Sequence, residues 1–263
     1  MKYLFGSIRR LTSITLMVLL MGPFFVLITG QIDLTTSWNK ANHDRAGIAP
    51  DPVLNHEAIV QIYGARTFNW RGAFAIHTWV AFKEKNAREY TRLEVIGWRH
   101  HRGLPVISIS TGWPDRNWFG SKPEIYYDLR GKQAAKIIPE IINAANTYRF
   151  ADQYKAWPGP NSNTFTAHVI RQVSSLNADL PPTAIGKDYL DAEDNFLADA
   201  PSNTGMLLSL YGLLGVTLAK EEGLEINILG LNVGVDPNNI ALRLPGIGKV
   251  GFIESSSASQ SQN

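Results

Sequence analysis

The 263-residue chain contains no cysteine. That absence excludes disulfides, thiolate zinc sites, iron–sulfur clusters, an acylated cysteine anchor and a cysteine nucleophile. An excess of one charge is lacking too. Twenty-five Lys and Arg against 23 Asp and Glu leave a net charge of +2, far from the basic balance of a nucleic-acid-binding protein. Apolar residues, at 44%, are too plentiful for disorder throughout and sufficient for a sizeable core. Also missing are a P-loop, an H-E-x-x-H helix and a G-x-S-x-G turn. The run Gly246–Gly251 matches G-x-G-x-x-G by letter, but no room follows it for the helix and second strand of a dinucleotide site. It is expected to form tight turns at a strand edge. Ser37–Lys40 fits S-x-x-K without the partner motifs of that enzyme class. Adjacent His100 and His101 cannot face one side of a strand and make a poor metal pair. No metal and no cofactor is expected.

What is present begins with a long apolar run. Lys2, Arg9 and Arg10 precede Leu11–Ile32, 22 residues without a charge, and roughly 20 such residues span a bilayer as a helix. Basic residues before it and Asp33, Asp44 and Asp51 after it favour an N-terminus inside and the remainder outside. An uncleaved anchor, a cleaved signal peptide and a buried core helix all fit such a run. Bulky Ile28 near the exit speaks against cleavage. The expectation is a single-pass inner-membrane protein with its domain on the periplasmic side.

Four segments follow from composition: residues 1–32 as anchor, 33–53 as a polar tether broken by Pro50 and Pro52, 54–253 as one domain, and 254–263 as a disordered tail. Within the domain, Ala58–Ala65, Gly72–Lys83, Thr91–His100 and Pro105–Thr111 read as strands. The period then changes. Ile137, Ile138, Ile141, Ile142 and Ala145 form an amphipathic stripe within Lys132–Tyr148, and Asn163–Ser174 reads as a second helix after the Trp157–Pro160 turn. Glu225–Val235 and Ile240–Leu244 return to strand character. Strands first and helices later predict an α+β fold with an antiparallel sheet. Met206–Ala219 is apolar but short for a span, so it is expected as a buried helix or a surface segment touching the bilayer.

Two positions suggest chemistry. His77 shares a strand face with small Ala75 and with Trp79. Ser162 sits where a rigid turn opens a helix, among unpaired N–H groups that favour a developing anion. An imidazole within reach of that hydroxyl would make a nucleophile and its base. A capping serine and a partly buried structural histidine explain the same residues.

The stretches Val60–Lys83, Glu94–Arg99, Trp157–Phe165, Leu180–Leu190 and Tyr211–Leu231 resemble an uncharacterised bacterial family, domain of unknown function 3750. The name of that family implies no activity. More remotely, a histidine-bearing strand followed by Asn-x-x-x-Phe at a helix start is similar to circularly permuted NlpC/P60-like proteins of papain fold. That likeness implies a papain-like domain hydrolysing, or transferring acyl groups from, an amide or ester. His77 takes the place of the family histidine, and Ser162 stands where the cysteine would be. Serine is the weaker nucleophile at neutral pH, so the chemistry is altered or lost. Asn161 and Asn163 would hold the oxyanion or position substrate, and Glu94 is the candidate orienting group.

Aromatics give the alternative. Trp113, Trp118 and Phe119 fall in one apparent loop, and indoles stack on sugar faces. A catalytically inactive envelope module for glycan binding or scaffolding is therefore the second expectation, as is a loop that plugs the sheet. The expected partners are the membrane, through the N-terminal helix, and peptidoglycan or lipid, not nucleic acid.

Overall fold

The computed structural model describes residues 2–251, so the tail at 254–263 lies outside it. It is an α+β structure of two antiparallel sheets with an apolar N-terminal helix. That helix, α1, covers Lys2–Ile28, and its Gly6–Ile28 portion is long and apolar enough to cross a membrane. One flank of α1 lies on the body. Leu19, Gly22, Pro23 and Val26 are buried, while Leu16, Met17, Met21, Phe24 and Phe25 are exposed. The i, i+3, i+4, i+7 spacing puts the four buried residues on one stripe.

The first sheet comprises β1 (Ile59–Arg66), β2 (Ile76–Lys83), β3 (Tyr90–Val95), β4 (Ile107–Gly112) and β5 (Glu124–Arg130), in the order β4-β3-β2-β1-β5. The short helix α2 (Gly97–His100) joins β3 to β4. Alternation along β1 and β2 sends Val60, Ile62, Val80 and Phe82 to one face. There they meet α3 (Gly131–Asn146) and α4 (Ser162–Gln172). Helix α3 presents Ala134, Ile137, Ile138, Ile141, Ala144 and Ala145 to this core and leaves Ile142 exposed. Tyr63, Ala65, Trp79 and Ala81 occupy the other face, packed by Ile48, Trp118 and Ile125.

Several expected boundaries move. Gly72–Lys83 is not one strand: a 3-10 turn at Asn69–Ala73 precedes β2. Strand β3 stops at Val95, because Gly97 and the residues after it wind into α2. The edge strand β5, Glu-Ile-Tyr-Tyr-Asp-Leu-Arg, carries no clear alternation in its sequence. The tether is pinned to the body. Buried Asp115 accepts the N–H groups of Ile48 and Ala49, and Arg45 bridges to Arg116 through the backbone.

The second sheet is a seven-stranded meander: β6 (Leu197–Asp199), β7 (Gly205–Leu210), β8 (Leu214–Ala219), β9 (Gly223–Ile228), β10 (Leu231–Asp236), β11 (Ala241–Leu244) and β12 (Gly248–Gly251). Met206–Ala219 is thus the β7–β8 hairpin, which corrects the expected helix. Its residues alternate, with Leu207 and Ser209 buried and Met206, Leu208 and Leu210 exposed. Tyr211 and Gly212 turn the chain at φ 53° and 65°, a left-handed pair suited to a tight hairpin and hostile to a helix.

The inner face of this sheet is polar. Lys187 donates to Glu225, Arg243 donates to Glu225 and Asp179, and Asn227 and Asn232 both donate to Asp188. Lys187, Glu225 and Arg243 are all fully buried. Burial alone would lower the Lys187 ammonium, but Asp188 and Glu225 hold it well above its ordinary range. The G-x-G-x-x-G run forms the β11–β12 turn and β12 itself. A side chain at Gly246 would strike the backbone of Pro23, and one at Gly22 would strike the Pro245 carbonyl. Close approach between helix and turn, not phosphate binding, uses those glycines.

Candidate functional site

Helix α4 starts as it does because Asn161 caps it. The Asn161 side chain accepts the N–H groups of Asn163 and Thr164, and the Thr164 hydroxyl accepts the Asn161 N–H. This reciprocal pattern satisfies two orphan donors. Asn161 also donates to the carbonyls of Ala156 and Ile185. Asn163 donates to the carbonyls of Ile76 and Ile185 and accepts from the Thr78 hydroxyl. Both residues are buried and both amides are engaged in hydrogen bonds within the fold. Ser162 is the first helical residue, 5% exposed, and is not the cap.

His77 and Ser162 are not brought together. Thr78 faces α4, bonding Asn163 and Thr166, and neighbours on a strand point to opposite faces. His77 accordingly lies on the far side of β2. There it meets Trp79 at a centroid distance of 5.8 Å and Trp118 at 3.7 Å. The expected nucleophile and base are separated by the sheet itself.

What His77 does meet is Glu94. Its Nε2 lies 3.3 Å from Glu94 Oε2, and Arg92 lies 2.9 Å from Oε1 of the same carboxylate. Burial lowers the His77 imidazole below its usual range, a trend that the Glu94 hydrogen bond opposes without reversing. Glu94 is pushed up by burial, yet the hydrogen bond from His77 and the charge of Arg92 outweigh this and hold it low. At neutral pH the pair is a neutral imidazole donating to a carboxylate, with the lone pair on Nδ1.

Buried Glu94 lies at the base of a cleft of about 720 Å³. Its aromatic walls are Trp38, Trp98, Trp118 and Phe119, and its charged rim is Arg92, Arg102 and Arg116. Trp38 and Trp98 are 69% and 49% exposed. Arg102 lies over the Trp98 ring, 4.8 Å from its centre. Arg92 Nε is buried without a hydrogen-bond partner. Among the described residues, no Ser, Thr or Tyr lines this cleft and no group of three His, Asp or Glu side chains is placed to hold a metal.

Trp118 and Phe119 therefore share the cleft, but Trp113 does not. Arg45 covers the Trp113 ring at 2.9 Å from its centre. Sequence reasoning missed Trp38, Trp98 and the three arginines. The density of tryptophan between positions 70 and 118 was a signal for Trp98. Nothing local signalled Trp38, which the pinned tether delivers. A larger cavity of about 1220 Å³ runs from Gly30–Asp33 past Arg66 and Tyr126 to Asp179 and Lys249. Three of its charged residues are in ion pairs, Asp179 with Arg243 and Lys249, and Asp128 with Arg130.

Fold and site together define an α+β protein with an apolar N-terminal helix and an arginine-rimmed aromatic cleft. A family model described as "Protein of unknown function (DUF3750)" matches residues 57–189. The chain belongs to that family. No curated protein and no solved structure matches it.

Proposed function

We propose that this protein is a membrane-anchored envelope module that binds, without cleaving, an acidic ring-bearing ligand of the glycan class in the Trp98–Trp118 cleft. The observation that carries the reading is the pairing of the exposed indoles of Trp38 and Trp98 with the exposed guanidinium groups of Arg102 and Arg116 on one cleft. Indole faces stack on sugar or planar rings, and a guanidinium with a free donor matches a carboxylate or phosphate. An uncleaved α1 is supported by the burial of Leu19 and Val26, at 5% and 1% exposure. Loss of the helix would uncover the surface they pack on. The charge asymmetry about α1 supports a periplasmic body.

The test is calorimetric binding of soluble peptidoglycan fragments to the full chain in detergent. Trp98→Ala and Arg116→Ala should each weaken binding at least tenfold without shifting the melting temperature. Fragments that bind neither the parent chain nor its variants would sink the glycan assignment.

One observation favours a second reading. His77 hydrogen-bonded to Glu94 is the orienting half of a general-base site. A papain-like hydrolase would need a nucleophile on the same side of the sheet, and Ser162 is on the other. A hydrolase here would instead have to activate water, so ester turnover abolished by His77→Gln and unaffected by Ser162→Ala would favour it.

A further inference from the structure

The second sheet is inverted. A sheet with one face on the core and one in water normally turns apolar residues in and polar residues out. Here Glu225, Asn227, Asn232 and Arg243 point in, and the outer face is apolar. Met206, Leu218, Leu224, Val235, Leu242 and Val250 stand in one cross-strand row, a residue from each of β7 to β12. Their exposures run from 41% to 66%. At the usual strand spacing the row is about 24 Å wide, and only Asp199 on the edge strand continues it with a charge. Soluble proteins rarely leave a contiguous apolar patch of this breadth bare.

The two ends of the sheet also differ. At one end the turns carry Tyr211, Leu229 and Ile247, with exposed Trp157 donating to the Leu229 carbonyl. At the other end they carry Lys220, Glu221, Asn238 and Asn239, with Pro237 and Ile240 the apolar exceptions. Helix α1 meets the apolar end: Gly22 and Pro23 abut Pro245–Ile247. Gly22 precedes the helix terminus Ile28 by six residues, about 9 Å along the axis. If α1 crosses a bilayer, the β11–β12 turn is fixed about that far below the level of Ile28.

We propose that the outer face of the seven-stranded sheet is a lipid-binding surface, laid into the bilayer beside α1 with its Tyr211–Leu229–Ile247 end deepest. The proposal rests on the anchor reading above and adds a second membrane contact. A depth of about 9 Å agrees with the 5–10 Å to which interfacial amphipathic elements bury their apolar faces. Bare sheet edges cannot lie in hydrocarbon, so the sheet rests on the bilayer and does not cross it. The acyl chains take the Leu, Val and Ile side chains. Lys220 and the asparagines of the opposite end stay at the water side, and Trp157 and Tyr211 are of the type enriched at membrane interfaces.

The absence of native cysteine makes the test direct. Single cysteines at Leu16→Cys, Val216→Cys, Leu218→Cys and Lys85→Cys, each carrying an environment-sensitive fluorophore, are compared in the full chain reconstituted into phosphatidylcholine–phosphatidylglycerol vesicles. Spin-labelled acyl chains and aqueous iodide serve as the two quenchers. The labels at 216 and 218 should be quenched by lipid at least half as strongly as the label at 16, and the label at 85 only by iodide. Quenching at 216 and 218 by iodide alone, with lipid quenching kept at 16, overturns the surface and leaves the anchor standing. Resistance to both quenchers means that a second copy covers the face, which also overturns it. Loss of lipid quenching at 16 as well ends the anchor reading and the surface with it.

Discussion

The Trp118 indole lies flat on the His77 imidazole, with ring centroids 3.7 Å apart and planes 9° from parallel. A stacked ring on one side and Glu94 at its edge leave His77 no room to hydrate as a cation. Burial accordingly lowers its pKa below the ordinary value. The unfolded chain binds a proton at His77 near pH 6.5, the folded chain only at lower pH. The stability that neutral His77 contributes is thus fully present above about pH 6.5 and is lost as pH falls through the folded value. Glu94, also held low, loses its contribution in the same direction at more acidic pH.

The first prediction follows from that sign. Thermal melts should fall between pH 7 and pH 5, and His77→Gln should flatten the decline while keeping a donor for Glu94. A variant whose melting temperature tracks the parent across that interval would show that another group controls the acid sensitivity.

The second prediction separates cap from neighbour. Asn161→Ala removes the cap of α4 and should cost roughly 1–2 kcal/mol in denaturant unfolding. Ser162→Ala should cost less than about 1 kcal/mol, because the hydroxyl at this first helical position is not the cap. Equal losses at the two positions would contradict the capping geometry.

A third prediction concerns the inner face of the meander. Glu225→Ala leaves the buried cations of Lys187 and Arg243 facing each other without their shared carboxylate. Breaking such a buried network costs about 3–5 kcal/mol, so guanidinium unfolding should show a loss of that order. An unchanged midpoint would mean that water reaches the pair.

The fourth prediction tests the orientation of α1. A periplasm-active reporter fused after Thr35 should be active and stay with membranes after carbonate washing. Inactivity would reverse the orientation, and an active but soluble product would mean cleavage.

The sequence by itself determined the elements whose signals are local. The charge-free run of α1, the isoleucine stripe of α3 and the two faces of β2 are each visible in consecutive residues, and such a local pattern needs no partner to be read. It determined His77 as a residue on a small-residue face beside Trp79 for the same reason. Only the tertiary structure decided which side of the sheet that face becomes. Pairing one side of β2 with α4 through Thr78 sends His77 to the opposite side, toward Trp118 and Glu94, because consecutive side chains on a strand cannot share a face. Met206–Ala219, expected as a buried helix or a membrane-touching segment from its apolar character and length, is a hairpin, because a run of mostly apolar residues shows no period that separates strand from helix. Polar partners scattered between Asp179 and Arg243 then decide that its apolar side faces out. Trp38 and Trp98 lie 60 positions apart in sequence and line one cleft because Asp115 helps to pin the tether to the body. Burying that carboxylate demands the backbone N–H groups of Ile48 and Ala49, a requirement that exists only once the chain is folded.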